Sequence, residues 1–158
     1  MRCPDLVPGM CRAGLALIFG YAGIQKLRDP SPTADFLAAM TRLDIPSGAV
    51  MALGAAEVAL ALALFARVSD RFTARAAMVT SSVFLTFHAF TLTRDDPAPP
   101  CGCMGAAVAE TPIHPGWWIA FTGAMIVASG VLLLASPKHA AGAVGDAHAE
   151  TPAPEPTP

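Results

Sequence analysis

The stretch IPSGAVMALGAAEVALALALF, residues 45–65, carries a single charged side chain, Glu57, in an otherwise uncharged and mostly apolar run. A helix of roughly 20 apolar residues is long enough to cross about 30 Å of hydrocarbon. A carboxylate near the middle of such a helix needs an ionic partner, a proton or water. The stretch therefore predicts a membrane helix that holds a buried acidic group.

The composition of the whole chain agrees with a membrane protein. Of its 158 residues, 54% are hydrophobic and 14% are charged, whereas a soluble domain carries about 25% charged residues. Three further runs are of spanning length, at about 6–27, 72–92 and 117–135. We predict an all-α fold, a four-transmembrane-helix bundle in the lipid bilayer. The net charge of -2 and the lack of a basic patch argue against nucleic-acid binding.

The domain limits follow from changes in composition. Residues 1–136 form the predicted membrane domain, with a loop at 93–116, and residues 137–158 form a predicted disordered, proline-rich tail. The first run also has features of a cleaved signal peptide. Pro4, Asp5 and Pro8 do not suit the start of such a peptide, so we interpret the run as a retained helix. The run at 72–92 is the most polar, and its hydroxyls and His88 are expected to face other helices.

Basic residues next to the helix ends predict the orientation, because positive charge is retained on the cytoplasmic side. The densest basic cluster, ARVSDRFTAR (66–75), lies in the short loop between the second and third predicted spans. This favours a multi-pass protein of the bacterial inner membrane with both termini in the cytoplasm. The 93–116 loop would then face an oxidising compartment, in which disulfides persist.

Glu57 is expected to pair with Arg12. Counted at about 1.5 Å per residue from the inner ends of their helices, Glu57 lies at roughly 13 Å and Arg12 at roughly 6 to 9 Å. Lys26, which lies nearer the outer face, is a poorer match by this measure. A structural intramembrane pair is the first interpretation, and a proton or quinone site is the alternative.

The loop contains PPCGCMG, residues 99–105, with Cys101 and Cys103 one glycine apart. Two such cysteines can approach the Cα separation of roughly 4.4 to 6.8 Å that a disulfide needs. A strained, exposed disulfide exchanges readily. A structural disulfide or idle thiols are a second interpretation, and a zinc site with His88 and His114 is a third.

The remaining two cysteines are interpreted as idle thiols. Cys3 and Cys11 would lie at the cytoplasmic side, away from the loop. No metal site is assigned, and no cofactor is expected. The chain lacks C-x-x-C-H for haem and a glycine-rich nucleotide loop.

The order of these motifs resembles a known family. The stretch RAGLALIFGYAGIQKLRDP (12–30) is followed by a second helix with Glu57, a third helix, and then CGCMG before a last helix. This arrangement is similar to that of the MauE (methylamine utilisation protein E) family among DoxX-like four-helix membrane proteins. The resemblance covers residues 10–135. It implies an inner-membrane protein that assists maturation of a periplasmic enzyme, together with a thioredoxin-like partner, in forming disulfides such as those of the methylamine dehydrogenase small subunit.

The leading hypothesis is therefore thiol–disulfide exchange. Cys101 and Cys103 would be the exchanging pair, with His88, Lys26 and His114 as supporting groups, because a nearby cation favours the thiolate. The client enzyme is not specified by the chain. The alternative is a non-catalytic, DoxX-like subunit or anchor of a respiratory or redox complex.

Overall fold

The computed structural model describes residues 6–68, 70–93 and 115–136, and all regular structure within them is helical. The predicted tail at 137–158, residues 94–114 of the predicted loop, and Cys3 lie outside the described residues. The described residues form five helices: α1 (Leu6–Arg28), α2 (Ser31–Thr41), α3 (Ser47–Phe65), α4 (Asp70–Thr91) and α5 (Pro115–Ala135).

Three of these helices are long and apolar enough to cross a membrane: Leu6–Arg28, Ser47–Phe65 and Gly116–Ala135. The all-helical prediction is confirmed, and these three helices lie where predicted spans were placed. Helix α4 coincides with the remaining predicted span and is as long as the others. Its serines, threonines and Arg71 and Arg75 make it more polar than those three helices.

Large apolar side chains cover the outside of the bundle. Leu17 on α1, Leu62 on α3 and Leu134 on α5 are 74%, 64% and 90% exposed. Polar groups such as Lys26 and Glu57 are instead buried inside. This inverted distribution is typical of helices that are surrounded by lipid, where no water solvates an outward polar face.

Helices α1 and α3 cross at two glycines. A Cβ on Gly23 would lie 2.6 Å from the carbonyl oxygen of Gly54, and a Cβ on Gly54 would lie 2.8 Å from that of Gly23. Further along the contact, a Cβ on Gly20 would lie 3.5 Å from Cβ of Ala61. The pairing runs antiparallel, and the missing side chains let the two backbones touch.

The other helices complete a four-membered ring in the order α3, α1, α5 and α4. Helix α4 packs along α5, and α1 contacts α5. Their shared core is one apolar cluster: Leu15, Ala16, Phe19, Ala61, Leu64, Ala74, Ala77, Met125 and Leu132. Of the four neighbouring pairs in this ring, α3 and α4 have the sparsest contact, so the ring is loosely closed on that side.

Helix α2 was not predicted and lies between the first two predicted spans. The Asp29 carboxylate accepts hydrogen bonds from the backbone N–H and the hydroxyl of Ser31, at the helix start. The helix ends at Arg42, whose φ of 59° is left-handed and whose N–H bonds to the Ala38 carbonyl. At 11 residues it is too short to span hydrocarbon, and it buries Phe36 and Met40 against the bundle.

The glycine crossing yields a stability prediction. Gly23→Ala and Gly54→Ala should each destabilise the protein by about 1–3 kcal/mol, since each added methyl group collides with backbone. Thermal unfolding of the purified protein in detergent would measure the loss. The matched control is Gly123→Ala on α5, where nothing lies within 4 Å of an added Cβ. A control as destabilised as the two crossing variants would contradict the close contact.

Candidate functional site

A buried ion pair joins α1 to α3. Nζ of Lys26 lies 2.8 Å from Oε2 of Glu57 and donates a hydrogen bond to it. The two side chains are 0% and 2% exposed. Two charges so far from solvent are tolerated because each provides the other's counter-charge and hydrogen-bond partner.

The glycine crossing explains why these two residues meet. Gly23 faces Gly54, and Lys26 and Glu57 each follow their glycine by three residues. Residues three apart lie on the same face of a helix. Because the helices are antiparallel, Lys26 and Glu57 lie on opposite sides of the crossing. Helical side chains lean toward the N-terminus of their helix, so both reach back to the crossing, where the close helix axes allow a short ion pair.

The structure corrects the expected Arg12–Glu57 pair, since Glu57 pairs with Lys26. Gly20 lies opposite Ala61 in the antiparallel contact. Counting from that level at 1.5 Å per residue, Arg12 and Glu57 are about 18 Å apart along the bundle axis. The prediction was wrong because it measured each residue from the end of its own helix. Helix α1 extends beyond the end of α3, so those two ends are not level.

A third helix contributes to the same region. Lys26 Nζ lies 5.3 Å from the ring centroid of Phe84 on α4, within cation–π range. Oε1 of Glu57 and Oγ of Ser81 are buried, and neither has a hydrogen-bond partner among the residues that the structure describes. We call Lys26 and the two residues that it contacts, Glu57 and Phe84, the polar centre.

An aromatic cluster adjoins the polar centre, one turn beyond Phe84. His88 is 7% exposed and stacks on Trp118, with ring centroids 5.8 Å apart and an interplanar angle of 13°. It also lies 6.3 Å from Phe36 of α2. Together with Phe87 and Phe121, which pack edge-on against Phe36 and Trp118, these residues form the cluster. It ties α2, α4 and α5 together.

The predicted site residues are therefore only partly described. Lys26 and His88 lie toward the same end of the bundle, with Phe84 between them. Cys101, Cys103 and His114 lie outside the described residues. The chain leaves the described structure at Thr93 and re-enters it at Pro115, five residues after His88 and three before Trp118. Both ends of the connecting segment thus emerge beside the aromatic cluster.

Sequence reasoning missed the partners of the residues it selected. Phe84 precedes His88 by four residues, a spacing that places both on one face of α4. Trp118 lies in the first turn of the following helix, and two helices joined by one connection are expected to pack antiparallel. The sequence contained these signals, but it did not show how deep in the bundle each side chain lies.

Neither the described cysteine nor the described candidate metal ligands form a recognisable site. Cys11 is a free, half-buried thiol on α1. Among residues 6–68, 70–93 and 115–136, no three His, Cys, Asp or Glu side chains are grouped to bind a metal ion. Three of the four ligands of the zinc alternative, Cys101, Cys103 and His114, lie outside those ranges.

Comparison with known families gives one match. The family model described as methylamine utilisation protein MauE matches residues 4–135. The chain belongs to the MauE family. No curated protein and no solved structure matches it. With its three long apolar helices, this MauE-family chain is a multi-pass membrane protein.

The ion pair predicts a strongly non-additive double-mutant cycle. Lys26→Met or Glu57→Leu alone should cost about 3–5 kcal/mol, because each leaves a buried charge without its partner. The double variant should recover most of that loss, since it removes both charges. Thermal unfolding in detergent measures the cycle, with Arg28→Met as the control at an exposed cation of the same helix. Additive losses would show that the two charges do not depend on each other.

Proposed function

We propose that this chain is an inner-membrane MauE protein that assists maturation of a periplasmic enzyme by thiol–disulfide exchange. Cys101 and Cys103 are the exchanging pair, and a thioredoxin-like protein is the partner. The observation that carries the proposal is the position of the C-x-C sequence, in a segment whose two ends flank the buried His88. The match to the MauE family, whose name refers to methylamine utilisation, supports the same biological setting.

The proposed exchange conserves atoms and electrons. A thiolate of the partner attacks the Cys101–Cys103 disulfide and forms a mixed disulfide, which the partner's second thiolate resolves. The partner leaves oxidised, and Cys101 and Cys103 are left as two thiols. The ring closed by a C-x-C disulfide is small, and a strained disulfide is a better oxidant than a relaxed one. His88 and His114 would support this step by favouring thiolates, whereas Lys26 is buried and its charge is already paired with Glu57.

We propose that α4 is the fourth span, so that the protein is a four-helix membrane bundle. Its polar side chains do not prevent this, because Ser82 Oγ donates to the Met78 carbonyl at 2.8 Å and Thr86 Oγ1 donates to the Ser82 carbonyl at 2.9 Å. Hydroxyls that bond to their own helix are tolerated in lipid. Arg71 and Arg75 lie within the first two turns of α4, where their charges can reach the cytoplasmic interface.

The proposed orientation predicts where a thiol reagent reacts. In a variant with Cys3, Cys11 and Cys101 replaced by serine, a membrane-impermeant maleimide should label Cys103 in whole cells after mild reduction. Both termini would be cytoplasmic, so a variant that retains Cys3 alone should be labelled only after lysis. The reverse pattern would place the C-x-C segment in the cytoplasm and would exclude a periplasmic exchange.

Exchange itself predicts the loss of partner oxidation. Cys101→Ser and Cys103→Ser should each abolish disulfide formation in the partner, while the amount of membrane protein is unchanged. Trapping and mass spectrometry should find a mixed disulfide in one of the two variants, on the remaining cysteine. Cys11→Ser is the matched control and should behave like the native chain.

Normal partner oxidation in both cysteine variants would instead favour the alternative function. The chain would then be a non-catalytic subunit or anchor of the DoxX-like kind, and its helix faces would carry its role. The buried ion pair would serve such an anchor equally well.

A further inference from the structure

A cleft, which we call the α3–α4 cleft, runs along α4 on the loosely closed side of the ring. It consists of two cavities of about 440 Å³ and 310 Å³ that share Leu53 and Thr80 in their walls. The larger cavity lies between α3 and α4, whereas α2 supplies most of the wall opposite α4 in the smaller one. Exposed residues of α3 and α4, including Ala56 and Val83, border the cleft. The cleft therefore opens onto the outer face of the bundle, which in a membrane is in contact with lipid.

The walls of the cleft are apolar except at a few points. Phe72, Phe84 and Phe87 line it along α4. Phe72 and Phe87 are 15 residues apart, which corresponds to about 22 Å along the helix. The cleft therefore has the length and lining of a site for an elongated apolar molecule that enters sideways from the bilayer.

Two buried polar atoms next to this cleft lack partners. Glu57 lines the larger cavity, and its Oε1 accepts no hydrogen bond from the described residues. Thr33 lines the smaller cavity, and its Oγ1 is likewise buried and without a described partner. Buried polar atoms are nearly always satisfied. Two exceptions on one cleft indicate a ligand that carries polar groups of its own.

The chemistry of Glu57 defines what this ligand must offer. A carboxylate paired with an ammonium group accepts hydrogen bonds and donates none. The ligand must therefore present an O–H or N–H group, at the depth of the polar centre, on a molecule that dissolves in lipid. A phospholipid acyl chain would fill the apolar part of the cleft but would leave Oε1 without a donor.

We propose that the α3–α4 cleft binds an isoprenoid quinol, with a ring hydroxyl donating to Oε1 of Glu57 and the apolar chain lying along the cleft. The choice of a quinol among lipid-soluble hydroxyl compounds rests on the proposed thiol exchange. Oxidation of two thiols to a disulfide releases two electrons and two protons. A membrane quinone takes up both and becomes the quinol.

The geometry also predicts selectivity between the two redox forms. A quinol offers Glu57 a proton donor, whereas the carbonyl of a quinone does not. The site should therefore bind the quinol about ten-fold or more tightly than the quinone, the difference expected from one hydrogen bond to a charged acceptor.

The test uses the full-length protein in phospholipid nanodiscs, with decylubiquinol and decylubiquinone as probes and equilibrium dialysis as the measurement. Saturable binding that favours the quinol supports the proposal. Ala56→Trp should abolish binding of both forms, because Ala56 lines the larger cavity. Ala55→Trp is the matched control: Ala55 is an exposed neighbour on the same helix that lines neither cavity, and its substitution should leave binding unchanged.

A second variant isolates the role of the carboxylate. The double change Lys26→Met with Glu57→Leu removes the acceptor without leaving an unpaired charge, so it should bind quinol and quinone equally weakly. Equal binding of both forms by the native chain would overturn the proposal. So would binding that does not saturate, as for a lipid chain, or equal effects of Ala55→Trp and Ala56→Trp.

Failure of this inference can be distinguished from failure of the proposed function. In Cys101→Ser/Cys103→Ser protein, quinol binding should persist, because none of the described residues that line the cleft is a cysteine. Native protein that oxidises its partner yet binds no quinol would refute the cleft ligand alone. Quinol binding without any cysteine-dependent partner oxidation would refute the exchange alone.

Discussion

The contact between Lys26 and Glu57 is the constraint on which the remaining architecture depends. Ionised groups are costly in hydrocarbon, so they must meet at hydrogen-bond distance and stay away from lipid. That requires two helix axes to approach until their backbones touch, which Gly23 and Gly54 allow. The ion pair and the glycine contact therefore depend on each other and act as one structural unit. It fixes the register of α1 against α3 and leaves their other faces free for lipid and for α5.

As a result, the helix pairs on the two sides of the ring are held together by different interactions. Helices α1 and α3 are held by an ion pair and close backbone contact, and α4 and α5 are held by core packing and the His88–Trp118 stack. Between α3 and α4 the contact is sparse. Phe84 on α4 still reaches Lys26, so the polar centre borders the loosely packed side. Glu57 accordingly lines the larger cavity on that side.

The sequence was sufficient to locate the long helices but not to align them. Runs of about 20 apolar residues predicted α1, α3 and α5 because hydrocarbon thickness fixes the length of a span. The criterion of spanning length overlooked α2, because α2 is too short to span hydrocarbon. The sequence signals for this helix are Asp29 and Pro32 at its start and the buried Phe36. The choice of Arg12 over Lys26 failed because the register between helices depends on where backbones touch. No count along one helix contains that information.

The position of His88 connects the buried constraint with the proposed chemistry. Its imidazole packs against Trp118 and Phe36, which orient the ring. The end of α4 that follows His88 leads to the segment that carries Cys101 and Cys103. Phe84, four residues earlier, rests on the same lysine that neutralises Glu57. Adjacent turns of α4 thus contact the ion pair through Phe84 and the aromatic cluster through His88. The buried charges and the end of α4 that leads to the two cysteines are therefore parts of one packed region.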